Sequence, residues 1–215
     1  MIWNSMPIIF HRNIDSSVSV AVWRITETEE FLYNNILLLN SDMEKLQSFS
    51  LAKRRLERLA CRHALAFLLQ TDRIEIRYSS IGAPQITQGF VSFAHSGAYA
   101  AAAFSCETPV GLDLEKISDR ITRLYPRFMP PVSAPLPEVA SISHLPTYIW
   151  CAKEAACKLY ARGDIDFVQA ITIEAEQQRG NITLPSKEIL PFSVFHTVIE
   201  DMMLVVAMEQ EQYLL

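Results

Sequence analysis

The chain lacks the marks of several large protein classes. It has no excess of positive charge: 19 lysines and arginines against 24 aspartates and glutamates leave a net charge of -5. Proteins that coat nucleic acid draw their affinity from phosphate neutralisation and are usually basic, so no nucleic-acid partner is expected and only a local basic patch stays open. The four cysteines, Cys61, Cys106, Cys151 and Cys157, contain no C-x-x-C pair. That excludes the usual zinc and dithiol redox motifs, and reduced, mostly buried thiols are expected instead. No apolar run is long enough to span a bilayer, so no membrane partner is expected. The first residues show no basic stretch followed by an apolar core and a small-residue cleavage site; a cytoplasmic protein is the expectation. With half of its 215 residues hydrophobic and a fifth charged, the chain can build one sizeable domain or two small lobes, and disorder is not its expected state.

What is present centres on Ile149–Tyr160, Ile-Trp-Cys-Ala-Lys-Glu-Ala-Ala-Cys-Lys-Leu-Tyr. It is rich in Ala, Leu, Lys and Glu with no Gly or Pro, which predicts a helix. Trp150, Glu154 and Lys158 are spaced four apart and share one stripe. The other positions are mostly apolar, so the helix packs on a core, and a carboxylate and an ammonium there need a partner. Mutual neutralisation of Glu154 and Lys158 as an i,i+4 pair is the simplest account.

Upstream, Val18–Trp23 alternates as a strand, and Thr26 or Thr28 can cap a helix entered by Glu27, Glu29 and Glu30 that runs to about Leu39. Ser41 with Glu44 has capping-box spacing. Ser50–Gln70 is the longest helical pattern, with a basic front half of Lys53, Arg54, Arg55, Arg58 and Arg62. Arg54, Arg58 and Arg62 form a stripe that is either a solvated face or an anion-binding one, since guanidinium matches phosphate geometry. Ile74–Tyr78 reads as a strand and residues 80–84 as a turn. Phe90–Phe93 and Tyr99–Phe104 are strand candidates, although the Ala run 100–103 suits a helix equally well. His95, Ser96 and Gly97 lie between them, where a Gly lets backbone approach a phosphate.

Val110–Glu115 predicts a strand with Leu112 and Leu114 turned to the core and Asp113 and Glu115 on the same face. Side-by-side carboxylates repel unless a cation lies between them. Paired oxygen ligands with room for water and phosphate suit Mg²⁺. Arg120–Met129 reads as a short helix, Pro130–Pro146 as a proline-rich loop, and Gly163 as the end of the central helix or of the turn after it. The tail, Ala170–Ala175, Ile182–Leu184, Phe192–Val198 and Met202–Ala207, reads as antiparallel strands with Arg179-Gly180-Asn181 as a turn. The order of elements divides the chain near Ser105–Pro109, giving expected lobes 1–107 and 108–215. From local chemistry alone the expectation stops at a metal-dependent phosphate-handling enzyme; a metal-dependent phosphodiesterase or nuclease and a carrier-binding relative without turnover are the other readings.

Three segments occur in a telling order: Val91-Ser92-Phe93-Ala94-His95-Ser96-Gly97, Val110-Gly111-Leu112-Asp113-Leu114-Glu115, and Trp150-Cys151-Ala152-Lys153-Glu154-Ala155-Ala156-Cys157-Lys158. With the basic stretch Lys53–Arg62, the chain from about Ser50 to Val168 resembles the single-chain, two-lobed class of 4′-phosphopantetheinyl transferases. The resemblance implies an α+β fold of two similar α/β lobes in pseudo-twofold arrangement, each a helix on a mostly antiparallel sheet. It implies transfer of the phosphopantetheine arm of coenzyme A to a serine of an apo acyl or peptidyl carrier protein, with release of adenosine 3′,5′-bisphosphate. By the same resemblance Asp113, Glu115 and Glu154 hold Mg²⁺, Glu154 takes the serine proton, and Lys158 faces the phosphates. Arg54 and Arg62 would bind the 3′-phosphate, His95 and Ser96 would contact phosphate, and Lys153 would join the coenzyme-binding set. A monomer is expected. Ala83 stands where the family often has lysine, with Arg55 or Arg58 as substitutes, and residues 130–135 replace an acid-rich helix that helps to receive the carrier protein.

Overall fold

A computed structural model describes residues 7–128, 144–161, 163 and 165–210. The fold is α+β, with five helices among the described residues and antiparallel strand pairs. The chain divides into two compact units, Met1–Val110 and Gly111–Leu215.

In the first unit, β1 (Ile8–Asn13), β2 (Val18–Arg24), β5 (Phe90–Ser96) and β6 (Tyr99–Ser105) form a sheet in the order β1-β2-β6-β5. A two-stranded pair, β3 (Arg77–Tyr78) with β4 (Pro84–Gln85), stands apart. The Ala run of β6 is a strand because β2 and β5 pair with it on both sides. Tertiary pairing thereby overrides alanine's helix propensity. The residue Ile74 is buried but lies outside any strand, so the predicted strand 74–78 is reduced to its last two residues.

Three helices complete this unit: α1 (Glu29–Asn34), α2 (Asn40–Gln47) and α3 (Ala52–Leu69). The Thr28 hydroxyl accepts from the Phe31 amide at 3.2 Å, one of the two caps expected, but α1 stops well short of Leu39. The capping box at Ser41 does not form. Leu39 occupies the cap position of α2, and the Ser41 hydroxyl donates instead to the Ile76 carbonyl. The apolar side of α3, including Leu59, Ala60, Ala64 and Leu65, joins Trp23, Val91, Ala100 and Ala102 in the core.

In the second unit, β7 (Val110–Lys116) opens a five-stranded sheet. It is completed by β8 (Ile171–Glu174), β9 (Arg179–Thr183), β10 (Ile189–Ile199) and β11 (Met202–Glu209), in the order β7-β11-β10-β9-β8. Arg179-Gly180-Asn181 is strand, not turn. The chain reverses one step earlier, where Gln178 takes a left-handed φ of 50°. Helix α4 (Asp119–Phe128) precedes α5 (Leu145–Tyr160), which starts four residues before the stretch that predicted it, with Pro146 in its first turn. A proline there forfeits no helical hydrogen bond. Ala161 ends α5 in the left-handed region, and the turn that follows holds Gly163 at φ 78°. Most of the proline-rich segment, residues 130–143, lies outside the described residues, and with it the stretch 130–135 expected to stand in place of an acid-rich helix.

Gly111 sets the distance between β7 and α5. A Cβ there would overlap the Ala155 carbonyl oxygen and stand 2.6 Å from the Leu159 nitrogen. Both are helix backbone, which cannot step aside as a side chain can. Gly111→Ala is therefore expected to destabilise the protein by about 1–3 kcal/mol, the cost of overpacking a dense interior. Urea unfolding at neutral pH measures it.

Candidate functional site

The close approach of β7 and α5 brings the sequence-predicted residues of the second unit together. Lys158, in the last turn of α5, donates to the Leu112 carbonyl and to Asp113 Oδ1, each at 2.8 Å. Helix spacing alone paired Lys158 with Glu154; in the structure its ion pair is with Asp113. Glu154 is left half-buried with no hydrogen bond or ion pair to any described residue. Its carboxyl is pushed above the ordinary range by burial and then by the charge of Asp113, with Lys158 pulling the other way and Glu115 adding to the rise. Burial and the Asp113 charge also raise Glu115, against the pull of Arg120. The charge of Asp113 therefore reaches both Glu115 and Glu154.

The cysteines beside these carboxylates are not nucleophiles. Cys151 is fully buried, and burial followed by the Asp113 charge holds its thiol well above the ordinary value. Burial, with the Glu154 charge, pushes Cys157 up to about 11. Trp150, first of the predicted stripe, seats α5 edge-on against Phe128 and tilted against Phe167, with ring centroids 5.2 and 5.3 Å apart.

Lys153 needs correction as a coenzyme ligand. It is 1% exposed and donates to the carbonyls of Phe167 and Val168 at 3.1 and 2.9 Å, which ties the segment after α5 to the helix. Burial lowers its pKa to about 8 from an ordinary 10.5. Between those values the unfolded chain holds more protons than the folded one, so this group's contribution makes stability rise with pH across that window. The stability difference between wild type and Lys153→Met should accordingly move in favour of wild type, by up to about 3 kcal/mol, between pH 7.5 and 10.5. Urea denaturation of both proteins at the two pH values tests it.

The three carboxylates have the donor chemistry of a hard divalent cation. They do not form a finished cage: among the described residues no three His, Cys, Asp or Glu side chains are placed to hold a metal ion. Mg²⁺ at phosphate sites commonly takes one or two carboxylates and fills its other positions with water and phosphate.

In the first unit, Arg54 and His95 meet: Arg54 Nη1 lies 3.2 Å from His95 Nε2. Ser96 follows at the end of β5, paired with Tyr99 across the turn at Gly97, whose φ is 62°. His95 and Ser96 are thus strand residues at a hairpin end, not loop residues. Arg62 is not with them. It is 1% exposed, ion-paired to the equally buried Asp42 at 2.7 Å, and it donates to the Leu37 and Ile74 carbonyls at 3.3 and 3.1 Å. A phosphate cannot reach it without displacing those partners, so its expected place as a 3′-phosphate ligand is corrected to a structural one.

The two proposed substitutes for the missing lysine are also engaged. Arg55 forms a fork with Glu29 at 2.6 and 3.1 Å and donates to Phe49 and Ser50 carbonyls. The Arg58 guanidinium lies over the Tyr78 ring, 4.5 Å from its centroid, and 5.5 Å from that of Phe93. Sequence reasoning passed over Glu57, which contacts His95, Arg54 and Lys53. Its signal was its place one turn after Lys53 on the helix that carries the basic stripe.

No protein-family model matches the chain, and no curated protein matches it. Among the described residues no helix is long and apolar enough to cross a membrane.

Proposed function

We propose that the chain is a monomeric, cytoplasmic 4′-phosphopantetheinyl transferase that moves the phosphopantetheine arm of coenzyme A onto a serine of an apo acyl or peptidyl carrier protein. The observation that carries the reading is Glu154: a half-buried carboxylate with raised pKa, unpaired among the described residues, beside an Asp113–Lys158 ion pair. The reading takes the two compact units as the two similar lobes of that family's fold, in pseudo-twofold arrangement.

The reaction is attack by a serine oxygen on the β-phosphorus of a pyrophosphate. Its transition state needs positioning and charge neutralisation more than covalent help. Asp113, Glu115 and Glu154 would hold Mg²⁺, which would supply charge neutralisation for the pyrophosphate and its leaving group. Glu154 accepts the serine proton, directly or through water. A carboxylate raised by burial and by like charge is a stronger base than an exposed one. Lys158 presents a cation to the phosphates, and sharing it with a phosphate loosens its hold on Asp113. Arg54, His95 and Ser96 bind coenzyme phosphate.

The deciding experiment incubates the purified protein with Mg²⁺, coenzyme A and a panel of apo carrier proteins, followed by intact-mass spectrometry. The expected result is a gain of one phosphopantetheine arm on at least one carrier. No gain on any carrier, together with Mg²⁺-dependent cleavage of a plasmid or a phosphodiester, would replace this reading with the hydrolase one.

A further inference from the structure

Glu57 has no part in the reading above, yet its surroundings are unusual. Its side chain is 5% exposed. Oε2 lies 3.3 Å from His95 Nδ1 and 3.7 Å from Arg54 Nη1, while Oε1 lies 3.7 Å from Lys53 Nζ. The same Arg54 nitrogen reaches the other ring nitrogen of His95 at 3.2 Å. The outer members are open to solvent: Arg54 is 54% and Lys53 70% exposed, with His95 between at 34%. A buried carboxylate therefore lies beneath three cationic or cation-forming groups that face outward.

The donor and acceptor count assigns the protons. Arg54 has only donors, so a contact between its Nη1 and His95 Nε2 requires a lone pair on Nε2. The imidazole proton then sits on Nδ1, which faces the acceptor Glu57. The Arg54 N–H donates to His95 Nε2, while His95 Nδ1 lies within ion-pair range of Glu57 Oε2, a buried oxygen that accepts no hydrogen bond from the described residues in this arrangement. An incoming phosphate competes for Arg54. Once it does so, Nε2 can take a proton and turn from acceptor to donor, and the imidazolium formed is balanced by the buried carboxylate below it.

We propose that Glu57 is a positioning residue of an anion site, holding the proton of His95 on Nδ1 and stabilising the imidazolium when a phosphate binds Arg54 and His95. The inference rests on the transferase reading only in taking that phosphate to be one of coenzyme A's; the site itself is defined for a phosphoryl anion.

The sign of one substitution separates this role from plain electrostatics. Glu57 carries negative charge near the anion, so charge alone predicts that Glu57→Gln binds phosphate more tightly. The positioning role predicts weaker binding, because the imidazolium loses its counter-charge. Inorganic pyrophosphate, titrated calorimetrically into the full chain without metal, is the probe. Glu57→Gln is expected to weaken binding at least threefold. In a His95→Gln background the same change should leave binding unchanged or tighter, since Glu57 acts through His95.

The ¹⁵N spectrum of the histidine-labelled wild type, with the His95 signals identified by their loss in His95→Gln, should show the proton on Nδ1 alone. Pyrophosphate should convert His95 to the doubly protonated form. Unchanged or tighter pyrophosphate binding by Glu57→Gln, absence of pyrophosphate binding to the wild type, or a wild-type His95 proton on Nε2 would overturn the inference. The wild-type spectrum decides if Glu57→Gln does not fold. Pyrophosphate binding with these signatures but no arm transfer would uphold the anion site and remove the transferase reading.

Discussion

Under the proposed function, Glu154→Gln is expected to lower transfer of the phosphopantetheine arm by about 10³-fold while the protein keeps its fold and gains slightly in stability at neutral pH. The rate loss follows from the proposed base role, since positioned general bases contribute typically about 10²–10⁴. The stability gain follows from the carboxyl's environment. Burial and then Asp113 raise it above its ordinary 4.5, with Glu115 adding to the effect. A group whose pKa is higher folded than unfolded stabilises below its unfolded value, and that contribution is lost as pH rises through the folded one. At neutral pH the charged form is therefore a burden that the amide removes. Activity by intact-mass assay, thermal unfolding at pH 7 and Mg²⁺ affinity by calorimetry together test it. Were Glu154 only one half of a helix-surface pair, the variant would keep its activity and its Mg²⁺ affinity.

Arg62→Met costs about 3–5 kcal/mol, the range for stranding one partner of a buried ion pair. Asp42 would keep the Tyr78 hydroxyl, which donates to its Oδ1 at 2.7 Å, but would lose its counter-charge in a site 2% exposed. The Leu37 and Ile74 carbonyls would lose a donor as well. The double variant Arg62→Met/Asp42→Asn should recover most of the loss, because asparagine still accepts from Tyr78 and leaves no charge to compensate. Arg54→Ala is expected to make the opposite pattern: stability within about 0.5 kcal/mol of wild type, as for exposed side chains generally, with the proposed coenzyme affinity reduced. A stable Arg62→Met protein with weakened coenzyme binding would restore Arg62 to the ligand set. Urea denaturation and coenzyme A titration of the three variants distinguish the outcomes.

The comparison of Arg54 with Arg62 shows where sequence pattern stops. Both belong to one i, i+4, i+8 stripe, and both have the chemistry to bind phosphate. What separates them is depth: the front of α3 is exposed, while Arg62 is covered by α2 and the segment around Ile74. Periodicity reports which residues share a helix face, not how far along the helix that face stays open. Lys153 was misplaced for the same reason, since a lysine among alanines reads alike whether its head reaches solvent or folds back onto the carbonyls of Phe167 and Val168. The strand β1 had no sequence signal because its side chains are half-buried or exposed and do not alternate.

Local pattern by itself determined the helix that carries Glu154 and Lys158 and the strand that carries Asp113 and Glu115. Each follows from propensity and alternation within a few residues. The tertiary structure decided the partners. Lys158 turns to Asp113, 45 positions away, and not to Glu154 one turn back, because Gly111 lets β7 come close enough for strand and helix to share that cation. Glu57, whose contact with His95 no local pattern shows, lies against it because α3 packs across the sheet that holds β5. Ion pairs form wherever packing places opposite charges, and packing depends on contacts far apart in the chain.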